Sequence, residues 1–132
     1  MDKTIIHIEA QINPTESEEK VRKAIENLFG NVETHVESIY RVVKILSESK
    51  TLDTLTKFQN LLRRECIRAA ARTVFFGGTR DKTLTFCLNK QVAYVGHISF
   101  ANEESESPLG PIKVRIQCDN PREVINWLTA GA

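Results

Sequence analysis

Apolar and polar residues alternate in five segments of the chain, and alternation of this kind is typical of half-buried β-strands. The segments are residues 3–13, 32–46, 83–88, 95–101 and 112–118. The first alternates cleanly, with Thr4, Ile6, Ile8, Ala10 and Ile12 on one face. The second is less regular, because Val42 and Val43 are adjacent, and we expect one strand with a bend or bulge near Arg41.

Three other segments repeat their apolar residues at helical spacing. The first helix is expected to start at a capping box formed by Thr15 and Glu18 and to end at Gly30. The last is expected to start at Asn120, with Pro121 in the first helical position. Each has an apolar stripe that can pack on a sheet.

The middle helical segment, residues 52–76, is long enough to be one helix or two with a break near residues 62–66. At about 100° per residue, six of its side chains share a core-facing stripe. They are Leu55, Phe58, Leu62, Cys66, Ala69 and Thr73.

The order of these segments predicts an α+β fold, with helices packed on one face of a mainly antiparallel sheet. With 132 residues, of which 41% are hydrophobic and 27% charged, the chain is expected to form a single domain over residues 1–132. It contains neither a signal-peptide pattern nor an apolar run of membrane-spanning length, so we expect a cytoplasmic protein without membrane association.

Candidate chemistry is sparse. The three cysteines, Cys66, Cys87 and Cys118, are an odd number in apolar patterns, which favours buried thiols. The three histidines lack metal-ligand spacing, and no phosphate-cradling loop is present. We therefore expect neither a cofactor nor a metal, and no catalytic residues.

Charge is unevenly distributed, although the net charge is only +1. Residues 1–40 contain four Lys/Arg against eight Asp/Glu, whereas residues 57–82 contain seven Lys/Arg against two Asp/Glu. The seven are Lys57, Arg63, Arg64, Arg68, Arg72, Arg80 and Lys82. On a continuous helix Lys57, Arg64, Arg68 and Arg72 would share one side, where they could contact an RNA backbone. The alternative is a solvated face, or one paired with the acidic first helix.

The tripeptide Asn89-Lys90-Gln91 is expected to connect two sheet segments. Asn and Gln side chains can bind base edges, and Lys can bind a phosphate. In the alternative interpretation, Asn89 caps a turn and Gln91 satisfies buried backbone groups. The stretch 109–112, Leu-Gly-Pro-Ile, is interpreted as architectural.

Two sequence pieces together resemble a known family: residues 88–93 with Gly96, Phe100 and 108–112, and residues 62–64 with Ile67 and 69–72. The chain resembles the archaeal uncharacterised protein family two hundred and one, within the domain of unknown function fifty-four. This resemblance implies a fold similar to ribosomal protein five of the large subunit, and an RNA-binding role without known catalytic residues. It also implies a link to RNA-processing complexes, since a sister group is associated with the archaeal exosome. The family pattern commonly has an acidic residue where this chain has Arg68.

The sequence and the resemblance together predict a non-enzymatic protein that binds structured or duplex RNA through its basic helix. The alternative is a structural or interaction protein that forms a homodimer, or binds a protein partner, without nucleic acid.

Overall fold

The computed structural model describes residues 4–101 and 110–130, and its strands form one seven-stranded sheet with antiparallel pairing throughout. The strands are β1 (Ile5–Ile12), β2 (His35–Ile39), β3 (Val42–Ser49), β4 (Thr79–Arg80), β5 (Thr83–Asn89), β6 (Phe100–Ala101) and β7 (Pro111–Gln117). Their order is β2-β3-β1-β7-β5-β4, and β6 also pairs with β5. The predicted α+β class with a mainly antiparallel sheet is confirmed.

In the described ranges, five α-helices follow or connect the strands: α1 (Glu18–Phe29), α2 (Thr56–Arg64), α3 (Arg68–Gly77), α4 (Lys90–Tyr94) and α5 (Pro121–Leu128). A 3₁₀ turn, Leu52–Leu55, leads into α2. Within the described ranges, no helix is both long enough and apolar enough to cross a membrane.

The core lies between one face of the sheet and the helices. In the central strands, Ile6 of β1 pairs with Ile116 of β7, and Ile8 pairs with Val114, with all four side chains buried. The opposite face carries polar residues, of which Arg115 is exposed. The alternation of apolar residues therefore predicted correctly which face of each central strand is buried.

Phenylalanine rings connect the helices to the sheet. The ring of Phe58 in α2 lies 5.3 Å from that of Phe29 in α1 and 5.6 Å from that of Phe86 in β5, centroid to centroid. Phe75 of α3 lies 4.8 Å from Phe86. Each such pair contributes about 0.5–1.5 kcal/mol beyond its buried area, so the cluster fixes α2 and α3 on the sheet.

The expectation of one bent strand at 32–46 is wrong. The chain forms a hairpin, in which β2 and β3 are joined by the two residues Tyr40 and Arg41. Tyr40 has a φ of 58°, the left-handed conformation that two-residue hairpin turns require. The alternation breaks at Val42 and Val43 because a new strand, β3, begins there after the chain has reversed direction. This strand continues to Ser49.

The capping box expected at the start of α1 is also wrong, because Ser17 occupies the N-cap position and Glu18 is the first helical residue. The carboxylate that reaches back is Glu16, which accepts hydrogen bonds from the backbone N and the side-chain Nδ2 of Asn13, both at 2.9 Å. Gly30 ends α1 as predicted, with a φ of 79°.

The strand expected at 95–101 is mostly absent from this described segment: only Phe100–Ala101 pairs with β5, whereas residues 90–94 form α4. Asn89 starts this helix, because its side chain accepts a hydrogen bond from the N–H of Val92 at 3.0 Å. The acidic stretch 102–107, and residues 108–109 of the family motif, lie outside the described residues.

Residues 52–76 form two helices, one of the two alternatives left open by the sequence. Cys66 lies in the break with a φ of 57° and is exposed, so the expectation that its thiol is buried is wrong, whereas Cys87 and Cys118 are buried as predicted. The break also shifts the phase of α3: Ala69 and Thr73 are exposed, not core-facing as expected. The helix instead buries Ala71 and Phe75.

Candidate nucleic-acid interface

The helix break divides the basic stripe expected from the sequence. On α2, Lys57 Nζ donates to the carbonyl of Glu26 in α1 at 3.1 Å, whereas Arg63 Nε donates to the carbonyl of Ala130, after α5, at 3.1 Å. Arg64 is exposed and lines an open depression with Lys57 and Asn27 of α1. These cations therefore lie at separate helix boundaries and do not form one row with those of α3.

On α3, Arg68, Arg72 and Phe76 recur every four residues and so share one side of the helix. The guanidinium carbon of Arg72 lies 5.0 Å from the centroid of the Phe76 ring, a cation–π contact. Its Nη1 donates to Oδ1 of Asn126 at 2.8 Å and to Oγ1 of Thr129 at 3.1 Å, both on the α5 side. Arg72 is exposed but fixed in position, and a guanidinium has five N–H donors in all.

Two further cations lie in the chain shortly after α3. Arg80 and Lys82 are exposed on either side of Asp81. The carbonyl of Lys82 accepts a hydrogen bond from the N–H of Cys118 at 3.0 Å, which ties the turn to the end of β7. We call Arg68, Arg72, Phe76, Arg80 and Lys82 the α3 ridge. Residues 68–82 contain these four cations and one carboxylate, Asp81.

The tripeptide at 89–91 has mainly a structural role. Asn89 caps α4, in agreement with the architectural interpretation. Lys90 is 4% exposed, and its Nζ donates to the carbonyl of Gln11 at 2.7 Å and to Oε1 of Glu16 at 2.8 Å. Because this ammonium is buried and already paired inside the fold, we base the proposed interface on the cations of α3 and the following turn and not on Lys90. Gln91 is exposed, against the expectation that it serves buried backbone groups.

The carboxyl of Glu16 remains ionised beside this buried lysine. Burial alone raises its pKa, but the hydrogen bonds from Lys90 and Asn13, with the Lys90 charge, outweigh that effect and hold the pKa below its usual value. The pair therefore carries no net charge near neutral pH.

Beside this pair lies a cavity of about 310 Å³, which we call the α1–α4 pocket. Val21 and Ala24 of α1 form its apolar wall, Gln91 and Tyr94 come from α4, and Lys20 also lines it. Sequence reasoning missed this pocket. Its two helices are some 70 residues apart in the chain, and α4 itself was expected to be a connection.

The groups considered for other chemistry are dispersed. His97 is exposed, with Nδ1 3.6 Å from a carboxylate oxygen of Glu65, whereas Cys87 is buried in β5. Across the described part of the chain, no cluster of three His, Cys, Asp or Glu residues is arranged to hold a metal ion.

Comparison with known proteins gives consistent results. A family model described as RNA binding matches residues 5–118. A UPF0201 protein of Sulfurisphaera tokodaii is 48% identical over 127 residues, covering 96% of this chain and 87% of that protein. Another, from Metallosphaera sedula, is 42% identical over 126 residues, covering 95% and 87%.

Solved structures also share this fold. The crystal structure of a UPF0201 protein from Methanococcus jannaschii has a TM-score of 0.83 and 31% identity, covering 95% of this chain and 98% of that one. A DUF54 protein from Methanothermobacter thermautotrophicus has a TM-score of 0.64, with coverage of 97% and 99%. At 18% identity, the second match supports the fold alone.

Proposed function

This chain belongs to the UPF0201 family and to the family of the RNA-binding model, and we propose that it binds structured or duplex RNA through the α3 ridge. The observation that carries the proposal is the concentration of four cations over residues 68–82, on one side of α3 and on the turn after it. The family match supports RNA as the partner, and the ridge supplies a surface with the right charge.

The charges of the ridge suit a phosphate backbone. Arg68 and Arg72 are one helical turn apart, about 6 Å along the axis, and Arg80 and Lys82 follow soon after the end of the helix. Each phosphate neutralised by such a cation releases condensed counterions, so affinity should fall steeply with salt. Phe76, 39% exposed beneath Arg72, keeps that guanidinium oriented.

The proposal makes the protein a binding module and not an enzyme. The arginine and lysine side chains of the ridge bind phosphate through charge and hydrogen bonds, a role that requires no covalent chemistry. Purified protein should therefore bind RNA without cleaving it, and gel analysis of the RNA after long incubation tests this. The expected link to an RNA-processing complex is tested by native co-purification with and without nuclease.

The deciding experiment is a salt titration of affinity for a structured RNA. The triple variant Arg68→Gln, Arg80→Gln, Lys82→Gln removes the half-buried Arg68 and the two exposed cations of the turn from the ridge. It should flatten the slope of log affinity against log salt by roughly two to three units, because each phosphate contact contributes about 0.7–0.9.

A matched control changes three exposed cations outside the ridge: Lys23→Gln, Arg41→Gln and Lys50→Gln. This variant changes the net charge by the same amount as the ridge triple. Because its three cations lie outside the ridge, it should largely keep the wild-type slope of log affinity against log salt. If both triple variants flatten the slope equally, overall charge and not the ridge is responsible for binding. If the wild type binds no RNA at low salt, the proposal is wrong.

One observation favours the alternative of a protein-interaction role. All five residues of β2 are exposed at the edge of the described sheet, and Tyr40 at the adjoining turn is 99% exposed beside Ile39 at 62%. Exposed apolar edge strands are surfaces on which a second strand can pair. Light scattering at low and high salt tests for a homodimer, because an apolar edge contact should survive salt that abolishes phosphate binding.

A further inference from the structure

We propose that the α1–α4 pocket holds one unpaired nucleobase of an RNA strand. The inference rests on the proposed function for RNA as the partner, but it concerns a different surface and a different kind of contact. The α3 ridge supplies charge for phosphates, whereas this pocket supplies a partly apolar cleft for a neutral ring.

The size and lining of the pocket suit a planar heterocycle. Its volume of about 310 Å³ lies at the lower end of the range for small-ligand sites. Val21 and Ala24 form an apolar wall, and Tyr94, 43% exposed, adds an aromatic face. The amide of Gln91 can both donate to and accept from the edge of a base. Stacking on an aromatic ring, together with hydrogen bonds at the edge, is how proteins hold unpaired bases.

The side chains from α4 are held on a fixed frame. Nδ2 of Asn27 in α1 donates to the carbonyls of Ala93 and Tyr94, at 3.0 and 2.9 Å. At the other end of α4, the side chain of Asn89 caps the helix. Both ends of this short helix are therefore anchored, so the backbone that carries Gln91 and Tyr94 does not have to be ordered when a ligand arrives.

Electrostatics around the pocket favour a neutral ligand over a phosphate. The Lys90 charge is already compensated by the ionised Glu16. Glu18 and Glu19 occupy the first turn of α1, beside Lys20. The lining side chains of the pocket carry one excess positive charge, on the exposed Lys20, against three over residues 68–82 of the α3 ridge, so the ring of a base should be bound and its phosphate left in solvent.

The test uses the four neutral ribonucleosides, adenosine, guanosine, cytidine and uridine, in NMR titrations of the intact protein. Because nucleosides carry no phosphate, the α3 ridge cannot account for their binding. At least one should give saturable shifts in residues lining the pocket, with an affinity that changes little between low and high salt. Tyr94→Ala should weaken that binding at least about fivefold, the lower end of what one stacked base contributes, and Tyr94→Phe should retain it.

The matched control is Tyr40→Ala, which removes another exposed tyrosine that does not line the pocket and should leave nucleoside affinity unchanged. Gln91→Ala is a second pocket variant on an exposed side chain, and it should alter the preference among the four bases. Absence of saturable binding, or wild-type affinity in Tyr94→Ala, would overturn the inference. The ridge variants test the proposed function separately, because they change the salt slope for structured RNA and should leave nucleoside binding intact.

Discussion

Replacing Lys90 by methionine tests whether the buried ion pair beside the α1–α4 pocket stabilises the fold. The ammonium joins three parts of the chain: Lys90 begins α4, Gln11 is in β1, and Glu16 lies in the loop before α1. Methionine is unbranched and similar in length, so Lys90→Met preserves most of the packing while removing the charge and its hydrogen bonds.

The expected loss of stability follows from what the substitution leaves behind. Glu16 has 12% of its side chain exposed and would keep the two hydrogen bonds from Asn13, but it would lose its buried counter-charge. Removing one partner of a buried pair typically costs about 3–5 kcal/mol, and the partial exposure of Glu16 favours the lower end. Glu16→Gln should cost about 1–3 kcal/mol, because Lys90 keeps the carbonyl of Gln11 and gains a neutral acceptor.

Urea unfolding of the wild type, the two single variants and the double variant at neutral pH gives four unfolding free energies, which form a double-mutant cycle. The double variant should lose less stability than the sum of the singles, with a coupling of about 1–3 kcal/mol. If Lys90→Met costs less than about 1 kcal/mol, or if the two effects are additive, the pair does not hold α4 and the α1 loop together as argued.

The pH dependence provides an independent check on the same pair. The folded pKa of Glu16 lies below its ordinary value of about 4.3. Its contribution to stability is thus fully present above that ordinary pKa and is lost as pH falls through the folded pKa. Wild type should lose more stability than Glu16→Gln on acidification below about pH 5. Equal losses in the two proteins would contradict the lowered pKa.

Three further changes test the core, the helix break and the α3–β4 junction. Ile116→Ala should cost about 2–5 kcal/mol in denaturant unfolding, since the side chain is fully buried, and a loss below about 1 kcal/mol would refute the strand register. In native protein, mass spectrometry after iodoacetamide treatment should find Cys66 alkylated well before Cys118, whose burial raises its pKa; equal rates would contradict the structure. Gly78→Ala should lower the unfolding free energy by more than about 2 kcal/mol, because a Cβ there would overlap the carbonyl oxygen of Thr85, and a neutral change would show that the junction can relax.

The sequence predicted those elements whose signals are local and repeated. In β1, three successive inward positions are buried, and in α1 the apolar stripe predicted the buried side. Asn120 caps α5 as expected, accepting a hydrogen bond from the N–H of Glu123. In each case the period or the cap lies within a few residues, and tertiary contacts reinforce it.

The misplaced elements depend on single residues in unusual backbone conformations. Tyr40 turns the β2–β3 hairpin and Cys66 ends α2, both with positive φ and neither being glycine or asparagine. Such residues carry no turn signal in the sequence, because packing elsewhere holds them in place. The sequence placed Ala69 and Thr73 of α3 on the buried side because it treated residues 52–76 as one continuous helix. The break rotates α3 relative to α2, so a stripe calculated for one helix does not continue into the other.

The family motif at 88–91 illustrates why residue type alone does not identify a binding site. Leu88 is buried in the core, Asn89 caps α4 and Lys90 is buried against Glu16, so three of the four residues are used inside the fold. Gln91 alone is exposed. The polar residues Asn89 and Lys90 of this motif therefore stabilise the fold. Their ability to form hydrogen bonds does not by itself indicate that they bind a ligand.

Strand β5 sets the geometry that an RNA would need to meet both proposals at once. The basic turn with Lys82 precedes this strand, and the α4 segment with Gln91 follows it. Seven residues in an antiparallel strand span roughly 20 Å, so Lys82 of the ridge and Gln91 of the pocket lie beyond opposite ends of this strand. A duplex placed on the α3 ridge could not present an unpaired base at that distance unless its strand continued beyond the last base pair. The RNA that engages both sites should therefore combine a helical region with a single-stranded extension of several nucleotides, and a blunt duplex should bind through the ridge alone.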